Sequence, residues 1–134
     1  MESEELKLWN LRLFMVDMVR SELEDAVGRE HVSISQADKL SHGVDYFWVS
    51  RMWVDKGRTP PVPDFVVRPG SAEEVSKILK IANYYKIPVQ TWGGGSGSQG
   101  SALPMAGGII LDIKRMNRLL SIDEETRSIT QRRG

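Results

Sequence analysis

The residues best suited to chemistry lie in one stretch, Val89-Gln90-Thr91-Trp92-Gly93-Gly94-Gly95-Ser96-Gly97-Ser98-Gln99-Gly100-Ser101. Five of the eight residues from Gly93 to Gly100 are glycine. A backbone without Cβ atoms reaches φ > 0 and comes close to a ligand. Successive amides can then point into one concavity and form a nest for an anion. Ser96, Ser98 and Ser101 add hydroxyl donors. The chemistry this suits is the cradling of phosphate oxygens. A surface linker is the competing reading, since glycine and serine are common there too. A linker needs no apolar run driving into it, and Val89–Thr91 reads as such a run.

Gly95-Ser96-Gly97-Ser98-Gln99-Gly100 is a literal G-x-G-x-x-G. In a Rossmann site that pattern follows a strand and opens a helix. Here Gly100-Ser101-Ala102-Leu103-Pro104 leads to Gly107-Gly108 with no helical period, and Pro104 restricts the residue before it. No G-K-[ST] is present, which excludes a P-loop. A protein-kinase loop starts alike, and Leu111-Asp112-Ile113-Lys114 could pose as its lysine strand. The catalytic-loop motifs that a kinase carries downstream do not follow in these residues. The expectation is strand, glycine loop, strand.

The elements that must position this loop read as follows. Ser3 to Val27 is an amphipathic helix with apolar residues at Leu6, Leu13, Val16, Leu23 and Val27, widened by Trp9, Met15, Met18 and Val19. Ser3 caps it, Glu4 and Glu5 favour its N-terminus, and Gly28 stops it. Val32–Ile34 is a short extended piece, and Ser35–Leu40 a single helical turn. Ser41 to Trp48 is an aromatic cluster holding His42 and Asp45, read as a covering loop or a ligand wall. His31 reads as a surface histidine, and neither histidine has metal-ligand spacing. Asp55–Asp64 is a proline-rich connector. Phe65–Val67 is a strand. Ser71 caps a second helix with Glu74 at the capping-box position, ending near Tyr85-Lys86. Val89–Thr91 follows, so strand, helix and strand make a parallel β-α-β unit. After the glycine loop, Gly108–Ile113 is a buried strand. Leu119–Asp123 and Ser128–Thr130 are extended pieces joined by a turn at Glu124–Arg127. The fold class is α/β (α+β in looser schemes), a small mixed sheet flanked by helices. Residues 1–60 form an N-terminal helix and aromatic entry segment, and 61–134 the unit that carries the loop.

Composition narrows the function classes. The 134 residues carry 18 basic and 18 acidic side chains, which argues against a nucleic-acid arm or a membrane-surface patch. The absence of cysteine excludes disulfides, thiolate nucleophiles and cysteine-ligated metals. No run approaches a membrane span, and the acidic start, Met1-Glu2-Ser3-Glu4-Glu5, is unlike a secretory or transit signal. A cytoplasmic location is the default expectation.

Taken in order, these residues resemble a known family. Pro63-Asp64-Phe65-Val66-Val67-Arg68-Pro69, a helix, Ile87-Pro88-Val89, the glycine loop, Gly108-Ile109-Ile110-Leu111-Asp112 and Met116-Asn117 follow one another as in the FAD-binding domain of FAD-linked oxidases of the vanillyl-alcohol oxidase / p-cresol methylhydroxylase type. The resemblance is to the branch that holds glycolate oxidase FAD-binding subunits, D-lactate dehydrogenases and alkyldihydroxyacetonephosphate synthases. It runs from Ser21 to about Thr130.

The resemblance implies an FAD site whose pyrophosphate rests on the loop, with Trp92, Gly93, Gly94, Gly95, Ser96, Gly97, Ser98 and Gln99 as cofactor-binding residues. Relatives with covalent flavin often carry a histidine where this chain has Ser96, so the implied binding is non-covalent. Asp112 and Met116 are read as structural. The implied function is the FAD-binding part of a flavin oxidoreductase acting on a small 2-hydroxy acid. The alternatives are an alkyldihydroxyacetonephosphate synthase-like flavoenzyme, or a lobe that catalyses nothing alone. No catalytic residue is named; His42 and Asp45 are the weak candidates. The family's second lobe and cap domain are not recognisable here. The polar Gln131-Arg132-Arg133-Gly134, where relatives continue in apolar residues, suggests a truncated or frame-shifted reading frame or a fragment. Strands built for a second lobe would leave an exposed apolar edge, prone to association.

Overall fold

Phe65-Val66-Val67 and Ile109-Ile110-Leu111 are apolar at every position, the mark of strands buried on both faces. The computed structural model describes residues 4–131, with side chains from Leu13 onward. The expected cap at Ser3 and the charged Arg132–Gly134 ending lie outside the described residues, as do the side chains of Glu4, Glu5, Leu6 and Trp9.

The chain runs through α1 (Glu4–Val27), β1 (Val32–Ser33), α2 (Gln36–Ser41), α3 (Trp48–Asp55), β2 (Phe65–Val67), α4 (Ala72–Tyr85), β3 (Val89–Trp92), β4 (Ile109–Asp112), β5 (Leu119–Asp123) and β6 (Ser128–Gln131). A 3-10 turn over Arg29–His31 precedes β1, and another over Ile113–Arg115 follows β4. Helix α3 was not foreseen from the sequence.

Four strands form one sheet in the order β1-β2-β4-β3. β1 pairs antiparallel with β2, while β2, β4 and β3 are parallel, so the sheet is mixed as expected. The β2–α4–β3 unit is parallel too, but its two strands are not neighbours, because β4 lies between them. Val66 pairs with Ile110 on one side of β4, and Gln90 pairs with Ile110 on the other.

Alternation along the strands sorts side chains onto two faces. Phe65, Val67, Ile109 and Leu111 pack with Val19, Leu23 and Val27 of α1 and with Ile78 and Ala82 of α4. Val66, Ile110 and Trp92 form a smaller cluster on the opposite face, with Ala102 against it. Helix α4 starts where the capping box requires. The Glu74 N–H donates to Ser71 Oγ at 3.2 Å, and Glu74 Oε2 accepts from the Gly70 N–H at 2.7 Å. It ends at Lys86, which adopts the left-handed conformation (φ 56°) of a helix C-cap.

The α1 stripe is only half buried. Val19, Leu23 and Val27 are core, whereas Leu13, Met15, Val16 and Met18 are exposed. α1 is 24 residues long and α4 is 14. The turn at Glu124–Arg127 does join an antiparallel hairpin, β5–β6, but every residue of both strands is exposed.

At the carboxyl ends of the parallel strands sits a buried charge, Asp112, 1% exposed. Its Oδ2 lies 3.3 Å from His42 Nε2, 3.3 Å from Lys114 Nζ and 3.5 Å from Arg68 Nε. Its Oδ1 accepts from the Lys114 N–H at 3.2 Å. Arg68 also reaches Asp38 of α2 at 2.6 Å. Burial opposes ionisation of Asp112. The His42 ring and the Lys114 backbone N–H and ammonium outweigh it, and the carboxyl is held below its ordinary value of 3.8.

Two stability outcomes follow. Ile110→Ala, at a fully buried position, should cost about 2–5 kcal/mol in urea unfolding. A carboxyl whose folded-state value is depressed stabilises the fold above its ordinary value, and that contribution is lost as pH falls through the folded-state value. Asp112→Asn should therefore be less stable than wild type at pH 7, with the gap closing as pH drops below 3.8. Equal urea midpoints at pH 7 would contradict this.

Candidate functional site

Ligands of open parallel sheets bind beyond the carboxyl ends of the strands. The glycine loop leaves the carboxyl end of β3, the Asp112–Arg115 turn leaves that of β4, and Arg68 follows β2. Between the loop and the turn lies a cavity of about 670 Å³ lined by Gly93, Gly94, Ser96, Ile113, Lys114, Met116, Asn117 and Gln131. Two grooves flank α1, one between Glu22, Lys77 and Lys80 and one between Met15, Phe65 and Tyr85. Neither lies at these strand ends.

The loop presents backbone to this cavity. Gly93 and Gly94 are exposed. A Cβ added at Gly93 would meet nothing within 4 Å, and one at Gly94 only Ser96 Oγ at 3.9 Å. The space beside these two residues is therefore open because side chains are missing from it. Ser96 is exposed on the same wall and contributes a hydroxyl. Lys114, more than half exposed, also lines this space, with its ammonium 3.3 Å from Asp112 Oδ2. Side-chain-free backbone, a hydroxyl and an ammonium around one space suit an anionic phosphate group. These residues fit the pyrophosphate of a dinucleotide.

The structure separates the predicted set. Gly93, Gly94 and Ser96 line the cavity. Gly95 is half-buried and faces Trp92. Gly97, Ser98 and Gln99 are exposed further along the loop and do not line that space. Trp92 is buried with Val66 and Ile110, beneath the loop rather than in the cavity wall.

His42 and Asp45 do not reach the cavity. Both are buried. His42 Nδ1 donates to the Asp38 carbonyl at 2.7 Å, and its ring meets Trp92 edge-on at 4.9 Å. Asp45 Oδ1 accepts from the Phe47 N–H and from Ser50 Oγ. Both act inside the protein, which removes them as catalytic candidates. His31 is partly buried, 3.4 Å from Glu30. No group of histidine, aspartate or glutamate suited to a metal occurs among the described residues.

Lys114 and Asn117, with Ile113 and Gln131, line the cavity but were not assigned to it from the sequence. In the sequence Lys114 reads only as a residue that could imitate a kinase lysine, and Asn117 only as part of the family resemblance. The usable signal was a basic residue two positions after a buried strand, opposite a glycine loop. The His42–Asp112 contact, 70 residues apart in the chain, left no local signal.

Comparison with known proteins agrees with this geometry. Residues 63–134 match the FAD binding domain family. A probable mitochondrial D-lactate dehydrogenase of Danio rerio is 31% identical over 119 residues, covering 89% of this chain and 22% of the relative. Glycolate oxidase subunit GlcD of Bacillus subtilis is 31% identical over 119 residues, covering 87% of this chain and 23% of the relative. Among solved structures, an alkyldihydroxyacetonephosphate synthase superposes with a TM-score of 0.71 at 24% identity, over 81% of this chain and 21% of that one, a likeness of fold. The chain thus spans about a fifth of the length of these relatives. By the match over residues 63–134, the chain belongs to the FAD binding domain family, and it is related to the glycolate oxidase and D-lactate dehydrogenase flavoproteins.

Proposed function

We propose that the loop Trp92–Gln99 is the seat of the FAD pyrophosphate and that it holds the cofactor without a covalent bond. The observation that carries this reading is the pair of unobstructed glycines, Gly93 and Gly94, facing Lys114 across one cavity beyond the ends of β3 and β4. Gly93, Gly94 and Ser96 offer amides and a hydroxyl to the phosphate oxygens, and Lys114 balances their charge. Gly97, Ser98 and Gln99 extend the loop along the ligand, and Trp92 supports it from below. Ser96 has no ring nitrogen to form a flavin linkage, and neither His31 nor His42 lines the cavity, which favours non-covalent binding. Residues 61–134 act as the first lobe of the cofactor domain, and residues 1–60 as the entry segment that braces it.

In the complete polypeptide this lobe serves oxidation of a small 2-hydroxy acid of the glycolate or D-lactate type. Support comes from the sequence relatives of those names. The fold likeness to alkyldihydroxyacetonephosphate synthase keeps a synthase-like flavoenzyme as the second reading. Bound flavin would supply the redox chemistry, taking hydride from the substrate, while these residues bind and orient it. The described residues contain no helix long and apolar enough to cross a membrane. A cytoplasmic location and association through an exposed sheet edge, in β5–β6, are further parts of the proposal.

Titration of the chain with FAD, followed by tryptophan fluorescence, tests the reading. Saturable quenching is expected, with ADP competing and riboflavin failing to compete, because the loop reads pyrophosphate. Gly94→Val projects into open space, so it should weaken FAD binding about tenfold or more while leaving the urea midpoint unchanged. Acid precipitation of the loaded protein should leave the flavin in the supernatant. Flavin in the pellet would contradict the non-covalent part, and riboflavin competing as well as ADP the pyrophosphate part.

A further inference from the structure

Glycine-rich backbone has more conformational freedom to lose than any other and carries no side chains to restrain it. Among the described residues, the segment between α2 and α3 and Trp92 hold the glycine loop at three points, beside the Leu103 N–H that donates to the Gly100 carbonyl at 3.2 Å. The Tyr46 N–H donates to the Gly95 carbonyl at 3.0 Å. The Phe47 ring fills the space over Gly100 (φ +73°), where an added Cβ would lie 2.8 Å from Phe47 Cδ1. Trp92 does the same at Gly95 (φ +65°), where an added Cβ would lie 2.6 Å from the indole. The indole is itself backed by the buried His42 ring.

Asp45 shapes the turn that presents these groups. Its Oδ1 accepts from the Phe47 N–H at 3.0 Å and from the buried Ser50 hydroxyl at 3.2 Å. Its Oδ2 is buried without a hydrogen-bond partner among the described residues. One oxygen of this side chain therefore sets the direction of the Tyr46 N–H and the Phe47 ring.

We propose that His42, Asp45 and Phe47 are positioning residues for the cofactor: with the Tyr46 N–H, they clamp the glycine loop into its binding shape before the ligand arrives. The proposal rests on the reading of that loop as the pyrophosphate cradle and adds the determinants of its affinity. None of these side chains touches the cavity. Their effect is to remove an ordering cost that a free loop would impose on binding.

The test combines amide hydrogen exchange of the ligand-free chain with FAD titration, in wild type, Phe47→Ala, Asp45→Ala and Asp45→Asn. Phe47→Ala and Asp45→Ala should speed exchange across Gly93–Gly100 about tenfold or more and weaken FAD binding about tenfold, with exchange in β2 and β4 unchanged. Asp45→Asn keeps the accepting oxygen and should restore both values. A purely structural role would speed exchange in β2 and β4 as well, and that result overturns the proposal. Wild-type FAD affinity in a variant whose loop exchanges faster also overturns it, as does failure of Asp45→Asn to rescue. A wild-type chain that takes up no FAD overturns the cradle reading and this proposal with it. A wild-type chain that binds FAD alongside variants that bind equally well overturns the clamp alone.

Discussion

The buried carboxylate of Asp112 is the constraint around which the site end of this fold is arranged. A charge taken out of water must be met by opposite charge and hydrogen bonds, and leaving it unmet costs about 3–5 kcal/mol. Asp112 is met by His42 from the end of α2, Arg68 from beyond β2, and Lys114 from its own turn. Each partner comes from a different element, so satisfying one carboxylate brings the carboxyl ends of β2 and β4 and the end of α2 to one point. Arg68 passes the connection on to Asp38, whose carboxyl is also depressed: burial opposes its ionisation, and the Ser33 hydroxyl and Arg68 prevail.

The apolar sheet and this ionic cluster divide the work. One face of the sheet is closed by α1 and α4 through a large apolar cluster. The other is closed by Val66, Ile110 and Trp92, and the glycine loop passes over Trp92. The candidate cavity thus sits beside an apolar floor with charge at its edge, and the loop lines it with Gly93, Gly94 and Ser96. Backbone without side chains at Gly93 and Gly94 leaves room for an anion to approach amides there.

Two regions do not take part in this closure. The stretch of α1 from Leu13 to Val16 is exposed, and β5–β6 exposes Leu119, Leu120, Ile122 and Ile129. An isolated two-stranded hairpin buries too little to hold itself firmly, and contiguous exposed apolar side chains mark surfaces suited to contact. Gln131, at the end of β6, lines the candidate cavity, so the position of this hairpin bears directly on its shape.

Local physics made much of this legible in the sequence. The Ser71–Glu74 capping box, the apolar strands at 65–67 and 109–112, the glycine loop and the 124–127 turn each depend on residues close together in the chain. Their order sufficed to identify the family and to single out a candidate stretch for phosphate. What lay beyond the sequence depends on contacts across long separations. Strand β4 enters between β2 and β3, which no local pattern encodes. α3 forms on Trp48–Asp55, just after the aromatic cluster of Ser41–Trp48, where no helix was read. Trp92 was assigned to the cofactor but is buried below the loop, because alternation along β3 turns it inward beside Val66 and Ile110. Lys114 becomes a site residue only when the β4 turn is set opposite the loop. The sequence by itself determined which backbone could hold a phosphate. The tertiary structure alone decided what holds that backbone in shape and which charge faces it, because those partners come from residues far apart in the chain.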